Sequence, residues 1–461
     1  YDFLGLSYIP EPATGFANIF ALPKGTCLLI DARGSRTLRF ATIAPAESPD
    51  ISRAAASRKA AALLSSAVSH QASADVPVAA LLSGGIDSSL VVAAYARNTS
   101  RPIETFNVSF PDRAHDETHL AVATARQYNT RHHTVELDPS DTTPESVFGL
   151  LRHFDQPFAD TSLVPTYAVS RAVRQRGIIC TLTGDGGDEA FGGYSELARA
   201  ERLFQLASAP EWLLDTAGNL ARPVAGWTRN AGRQALKAVQ LAKAGRSNAA
   251  AFLAGLSSYL SEQEKEDLVL PSARLGLQGI HRHFGNPWER VNDLEQLSRQ
   301  MTLNYFDVSL PSDMLRKVDI MSMRAGIEVR VPMLDEDLVE LALTLPHGMK
   351  TDGRQGKLVL RDLASTWLPP KVARHPKHGF TIPLDVMVQP RFHEALRDLL
   401  GAGDSRIGSF LERRLVRSWL DQFQLAGQRG TGGNISREGL YLRIFMLLAL
   451  ELWLRDQRLV W

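Results

Sequence analysis

An α/β fold on a doubly wound parallel sheet, with a helical C-terminal part, is predicted for this 461-residue chain. Three observations predict it. Short apolar runs alternate with amphipathic segments between residues 76 and 183. Two of those runs end in glycine-rich loops that carry serines or acids. From about Leu197 onward the pattern turns predominantly helical.

The first 45 residues differ from the rest. They read as short strands and turns, with β-rich runs broken by Pro and Gly. APAESPD (44–50) reads as a linker. From Ile51, SRAAASRKAAALLSSAVSH repeats small and apolar residues at spacings of three and four, which predicts a helix. VPVAALL (76–82) predicts a buried first strand, followed by a Gly/Ser loop and a helix from about Ser88. IETFNVSF (103–110), TRHHTVEL (130–137) and IICTLT (178–183) predict three more strands. ETHLAVATARQYN and PTYAVSRAVRQRG supply the helices between them.

Composition sets limits. The chain carries 51 basic and 50 acidic residues, so bulk electrostatic attraction to nucleic acid or to a membrane surface is not expected. The most apolar segment, Ile444 to Leu454, is about half of what a membrane span needs and contains Glu451; its spacing suits a buried helix. Cys27 and Cys180 are too few for a disulfide framework, and a cytoplasmic setting is expected. The chain begins at Tyr1 in mid-pattern, so an N-terminal portion is expected upstream.

Chemistry concentrates where loops leave the strands. In an open parallel sheet ligands collect beyond the carboxyl ends of the strands. After the first strand comes SGGIDSS (83–89). Gly84 and Gly85 let a backbone with successive N–H groups approach an anion, and a helix N-terminus adds positive potential. Ser83, Ser88 and Ser89 add hydroxyl donors. The loop has no Walker lysine, so γ-phosphate transfer is disfavoured. After the fourth strand comes TGDGGDEAFGGY (183–194). Acids among glycines suit Mg²⁺, which takes one or two carboxylates plus phosphate and water oxygens. Asp87 and Asp188 are the candidate ligands, and Asp185 faces either substrate or metal.

SGGIDSS resembles the pyrophosphate loop of the ATP pyrophosphatases, whose fold is adenine nucleotide α-hydrolase-like. DQPFADTSLVPTY, LTGDGGDEAFGGY, LPSDMLRKVDIMSMRAGIEVRVPMLD and KHGFTIPL extend the resemblance to the synthetase half of glutamine-dependent asparagine synthetases. It implies an asparagine synthetase-like domain over 51–461 and, over 1–45, the β-rich end of an N-terminal glutaminase-like domain. It implies ATP and Mg²⁺, adenylation of a carboxylate with release of pyrophosphate, and attack by ammonia or another amine. The carboxylate it implies is L-aspartate, another small molecule or a peptide.

Residue by residue, the resemblance implies that Ser83, Gly84, Gly85, Asp87, Ser88 and Ser89 cradle pyrophosphate. Leu81, Val108, Thr183 and Gly184 contact adenosine; Asp87 and Asp188 hold Mg²⁺. Asp185 takes the position of an acid serving the amine step, and Lys377 offsets phosphate charge. Asp319, Arg330 and Asp335 are expected to frame the pocket by buried ion pairing. Lys357 matches a family position but reads locally as a helix-start charge. Two departures stand out: no N-terminal Cys nucleophile is visible, and Gln156 replaces the usual acid of a DEP motif.

Relatives that use the same adenylation on other carboxylates are the competing reading. β-Lactam synthetases, lasso-peptide cyclases and polysaccharide amidotransferases are of that kind. A tyrosine replaces the acid at the Asp185 position in β-lactam synthetases, which disfavours that subclass. A non-catalytic nucleotide-binding scaffold is the reading of another class. A homodimer is the candidate assembly. HDETH (115–119) resembles a zinc motif but lacks the Glu of H-E-x-x-H. The basic helix at 232–246 reads as a solvated face.

Overall fold

The computed structural model describes residues 1–43, 50–110, 116–207, 209–227, 237–244, 249–274, 276–284, 292–376, 389–429 and 435–457. Lys377, His115, residues 44–49 of the expected linker and much of the basic helix at 232–246 lie outside them.

Five strands form the central sheet: β3 (Val78–Leu81), β4 (Glu104–Ser109), β5 (Arg131–Glu136), β6 (Cys180–Leu182) and β7 (Glu328–Arg330). Their order is β5-β4-β3-β6-β7, and every pairing is parallel. The four strands read from sequence are present. β7 is a correction: IEVR had been read within the helical C-terminal part. A three-residue strand followed by Pro332 gives almost no periodic signal.

Helices cover both faces, as the fold class requires. Alternate residues of a strand point to opposite sides. Ala80 joins the buried cluster with Leu64 of α2 (Arg53–Gln71) and Val91 of α3 (Ile86–Asn98). Its neighbour Ala79 joins Val169 and Val173, which belong to a helix (Leu163–Gln175) on the other face. Ser52 caps α2 by accepting the Ala55 amide. α3 begins at Ile86, two residues before the expected start, with Gly85 as its N-cap.

The N-terminal stretch is mixed. Among the expected short strands, β1 (Thr26–Asp31) and β2 (Gly34–Arg39) pair as an antiparallel hairpin. Ahead of it, however, lies a short helix, α1 (Asp2–Leu6), where strands and turns had been expected. Five residues do not hold a helix alone. Packing does so here: Phe3, Leu4, Leu6 and Tyr8 lie in one buried cluster with Phe445 and Leu448 of the last helix, Arg437–Asp456. Glu451 of that helix is fully buried and accepts the Ser405 hydroxyl and the Arg406 and Ile407 amides. No helix among the described residues is long and apolar enough to cross a membrane.

Candidate active site

β3 is the first strand of the sheet, with β4 on one side and β6 on the other, so chain direction across the sheet reverses beside it. That is the switch point at which parallel sheets open a crevice. The loops after β3 and β6 meet there over a cavity of about 490 Å³.

Gly184 is what lets them meet. A Cβ on it would lie 2.5 Å from the Ser88 nitrogen, so no other residue fits without moving the loops apart. The loop after β3 is braced internally. Ser83 Oγ lies 3.0 Å from Ser88 Oγ and accepts the Gly85 amide at 3.2 Å, while the Ser83 amide donates to Ser88 Oγ at 3.2 Å. The N-cap of α3 is Gly85, which has no side chain with which to cap it.

The structure brings most sequence-predicted residues together. Leu81, Ser83, Gly85, Asp87, Ser88, Val108, Thr183, Gly184, Asp185 and Asp188 all line the cavity. Gly84, at φ +102°, lies under the loop, where a Cβ would meet the Glu117 carbonyl at 2.8 Å. Ser89 is fully buried behind it and accepts the Thr124 hydroxyl at 3.2 Å. Lys377 is outside the described residues, but His375 and Pro376 before it line the cavity. Arg361 fixes that approach by donating to the Ala373 and His375 carbonyls at 3.1 and 3.2 Å.

The residue whose weight sequence reasoning misjudged is Lys357. It is 5% exposed, and its ammonium pairs with Asp87 and, at 2.6 Å, with Asp188. Its backbone sits at φ 59°, ψ 36°, left-handed and uncommon for a residue with a side chain. The local signal of a helix-start charge hid a partner 270 positions away. Gly193 makes the fit: a Cβ there would lie 2.0 Å from Asp188 Oδ1 and 2.2 Å from Lys357 Cε.

Other expectations move out of the cavity. Asp155 is a surface group paired with Arg316, and Gln156 accepts the Gly15 amide at 3.3 Å. Arg330 donates to the carbonyls of Gln71 and Ser73, on the entry side of β3, and so does not frame the pocket. Asp319 is exposed. Glu189 was also missed. It is buried in the cavity wall, accepts the Tyr194 hydroxyl at 2.7 Å, and burial beside Asp188 pushes its carboxyl up to about 7.

Asp87 and Asp188 fit a magnesium ion by chemistry. They are buried hard-oxygen donors converging on one cation, and two carboxylates are what Mg²⁺ takes when phosphates and water complete its shell. Among the described residues no group of three or more His, Cys, Asp and Glu could hold a metal by itself.

The fold and this crevice define a parallel α/β protein with a glycine- and serine-rich loop set beside paired acids. The chain belongs to the family described as asparagine synthase, which matches residues 59–455. It is 24% identical over 426 residues to asparagine synthetase (glutamine-hydrolyzing) 1 of Bacillus subtilis, covering 91% of this chain and 64% of that protein. It is 22% identical to asparagine synthetase (glutamine-hydrolyzing) 3 of the same organism, covering 78% and 53%. Amidase chyE of Penicillium rubens is 23% identical, covering 72% and 53%. The chain therefore spans just over half to about two thirds of the length of these relatives. A solved NMN synthetase from Francisella tularensis aligns over 31% of this chain and 59% of its own, at 20% identity and a TM-score of 0.21.

Proposed function

We propose that the chain is an amide-forming ligase that adenylates a carboxylate with ATP and Mg²⁺ and then passes the acyl group to ammonia. One observation carries the reading: the loops after β3 and β6 close Asp87 and Asp188 on a single buried ammonium beside the start of α3, whose N-cap is Gly85. An amide-lined loop with serines and no lysine of its own suits a leaving pyrophosphate better than a transferred γ-phosphate. Leu81, Val108, Thr183 and Gly184 would contact adenosine, and Ser83, Gly84, Gly85 and Ser88 would cradle the pyrophosphate. Ser89 serves by packing under the loop.

Asp87 and Asp188 would hold magnesium, which supplies neutralisation of phosphate charge. Lys357 keeps the two carboxylates from repelling each other, and Lys377 is assigned to the developing charge. The carboxylate oxygen attacks the α-phosphorus, the bond to the β-phosphate oxygen breaks, and pyrophosphate leaves. Ammonia then adds to the acyl carbon, AMP departs with the bonding pair, and the attacking nitrogen loses a proton, a step to which Asp185 is assigned.

L-Aspartate is the proposed carboxylate, with glutamine as the ammonia source, in the cytoplasm and as a homodimer. The names of the Bacillus relatives support the choice of aspartate and glutamine. Residues 1–45 are proposed as the end of a preceding glutaminase-like domain and 51–461 as the synthetase. Exposed apolar residues on the hairpin segment, among them Phe20, Leu28, Ile30, Leu38 and Phe40, support a neighbouring domain there. Pyrophosphate release with ATP, Mg²⁺ and L-aspartate tests the proposal. Release that depends on aspartate supports it, and release with a different carboxylate moves the chain to one of the adenylating relatives. No release with any carboxylate sinks the adenylation reading.

A further inference from the structure

Beyond the two aspartates the cavity wall carries a second charged group that the reading above leaves unused. Asp160, Asp313 and Lys317 line the cavity together with Tyr259. Lys317 Nζ lies 2.8 Å from Asp160 Oδ2. Asp160 Oδ1 accepts the Ser162 amide at 2.8 Å and its hydroxyl at 2.7 Å. This pair is neutral and satisfied.

Asp313 is left over. It is 7% exposed, and among the described residues its Oδ1 has no hydrogen-bond partner. Burial, with Asp160 close by, pushes its carboxyl well above the usual range. A buried acid with an idle oxygen is costly unless a ligand completes it. The backbone that carries it is also unusual. Tyr305–Met314 is a ten-residue π-helix containing Pro311, and such wide turns recur at functional sites.

We infer that this part of the cavity receives the ammonium group of an amino-acid acyl substrate, with Asp313 as its partner and the Asp160–Lys317 pair as its fixed wall. With that ligand bound, two ammonium groups face two carboxylates and the charge closes. Desamino acids of the same length then lose the contact that holds them. The inference rests on the adenylation reading, which puts the acyl substrate in this cavity.

Calorimetry on the full chain, with and without an ATP analogue that cannot release pyrophosphate, tests it. L-Aspartate and L-glutamate are titrated against their desamino partners succinate and glutarate. At least one amino acid should bind at least about tenfold more tightly than its partner, and Asp313→Asn should remove that preference. Equal binding of a desamino acid, binding of none of the four, or a preference that survives Asp313→Asn overturns the inference. If the variant does not fold, the wild-type comparison decides alone. Because no chemistry is needed, a failed pyrophosphate assay would sink the adenylation reading and leave this result readable.

Discussion

The ammonium of Lys357 lies 2.6 Å from Asp188 Oδ1 and also pairs with Asp87, although the three residues come from different elements. Removing one partner of a buried ion group leaves uncompensated charge, at a cost of about 3–5 kcal/mol. Lys357→Met should therefore lower the unfolding free energy measured in urea by an amount in that range. It also strips the competing cation from the two carboxylates. Added Mg²⁺ should raise the variant's midpoint more than the wild type's. An equal response in both proteins would count against a metal site at these acids.

Asp188→Asn keeps the side chain's shape and removes its charge. Pyrophosphate release should fall at least about a hundredfold, the scale of losing one preorganised electrostatic group. Asp155→Asn is the control, because Asp155 is a surface group paired with Arg316 and should release pyrophosphate as wild type. Intact release in Asp188→Asn would remove Asp188 from the proposed metal site.

Gly193→Ala puts a methyl group where Asp188 Oδ1 and Lys357 Cε already stand, at 2.0 and 2.2 Å. The variant should lose pyrophosphate release and at least about 1–3 kcal/mol of stability. Gly149→Ala, whose Cβ would meet nothing within 4 Å, should lose neither. Paired denaturation curves distinguish the two.

Lys350 offers a pH test away from the cavity. It is 2% exposed and donates to Thr302 Oγ1 at 3.0 Å, and burial lowers its ammonium to about 8. The unfolded chain, with an ordinary lysine near 10.5, binds more protons between those values. Stability from this group therefore rises with pH from about 8 toward 10.5, by roughly 3 kcal/mol, and falls as pH drops back through 8. Lys350→Met should flatten that slope and be the more stable protein at pH 7. A variant less stable than wild type at pH 7, with an unchanged slope, would refute the assignment.

What was legible in the sequence was local. SGGIDSS and GDGGD announce themselves because backbone approach and a strand-to-helix turn demand those residues within a few positions. Lys357, Asp313 and Lys317 reach the same cavity from helical regions far along the chain, where periodicity reveals a buried face but not the partner across it. Arg330 misled for the complementary reason. Its motif carries the family resemblance, yet its strand carries it to the entry side, against Gln71 and Ser73. β7 itself was too short to alternate.

The wide turn at Tyr305–Met314 acts on the helix beyond it as a phase shifter. It supplies surplus backbone before Lys317, so the helix Leu315–Ala325 starts from a rotated origin. Each residue of an α-helix advances about 100° around the axis. Excising one residue from the turn would swing Lys317 away from Asp160 by about that angle and leave the loops after β3 and β6 as they are. Asp313 apart, length more than identity is what this segment has to keep.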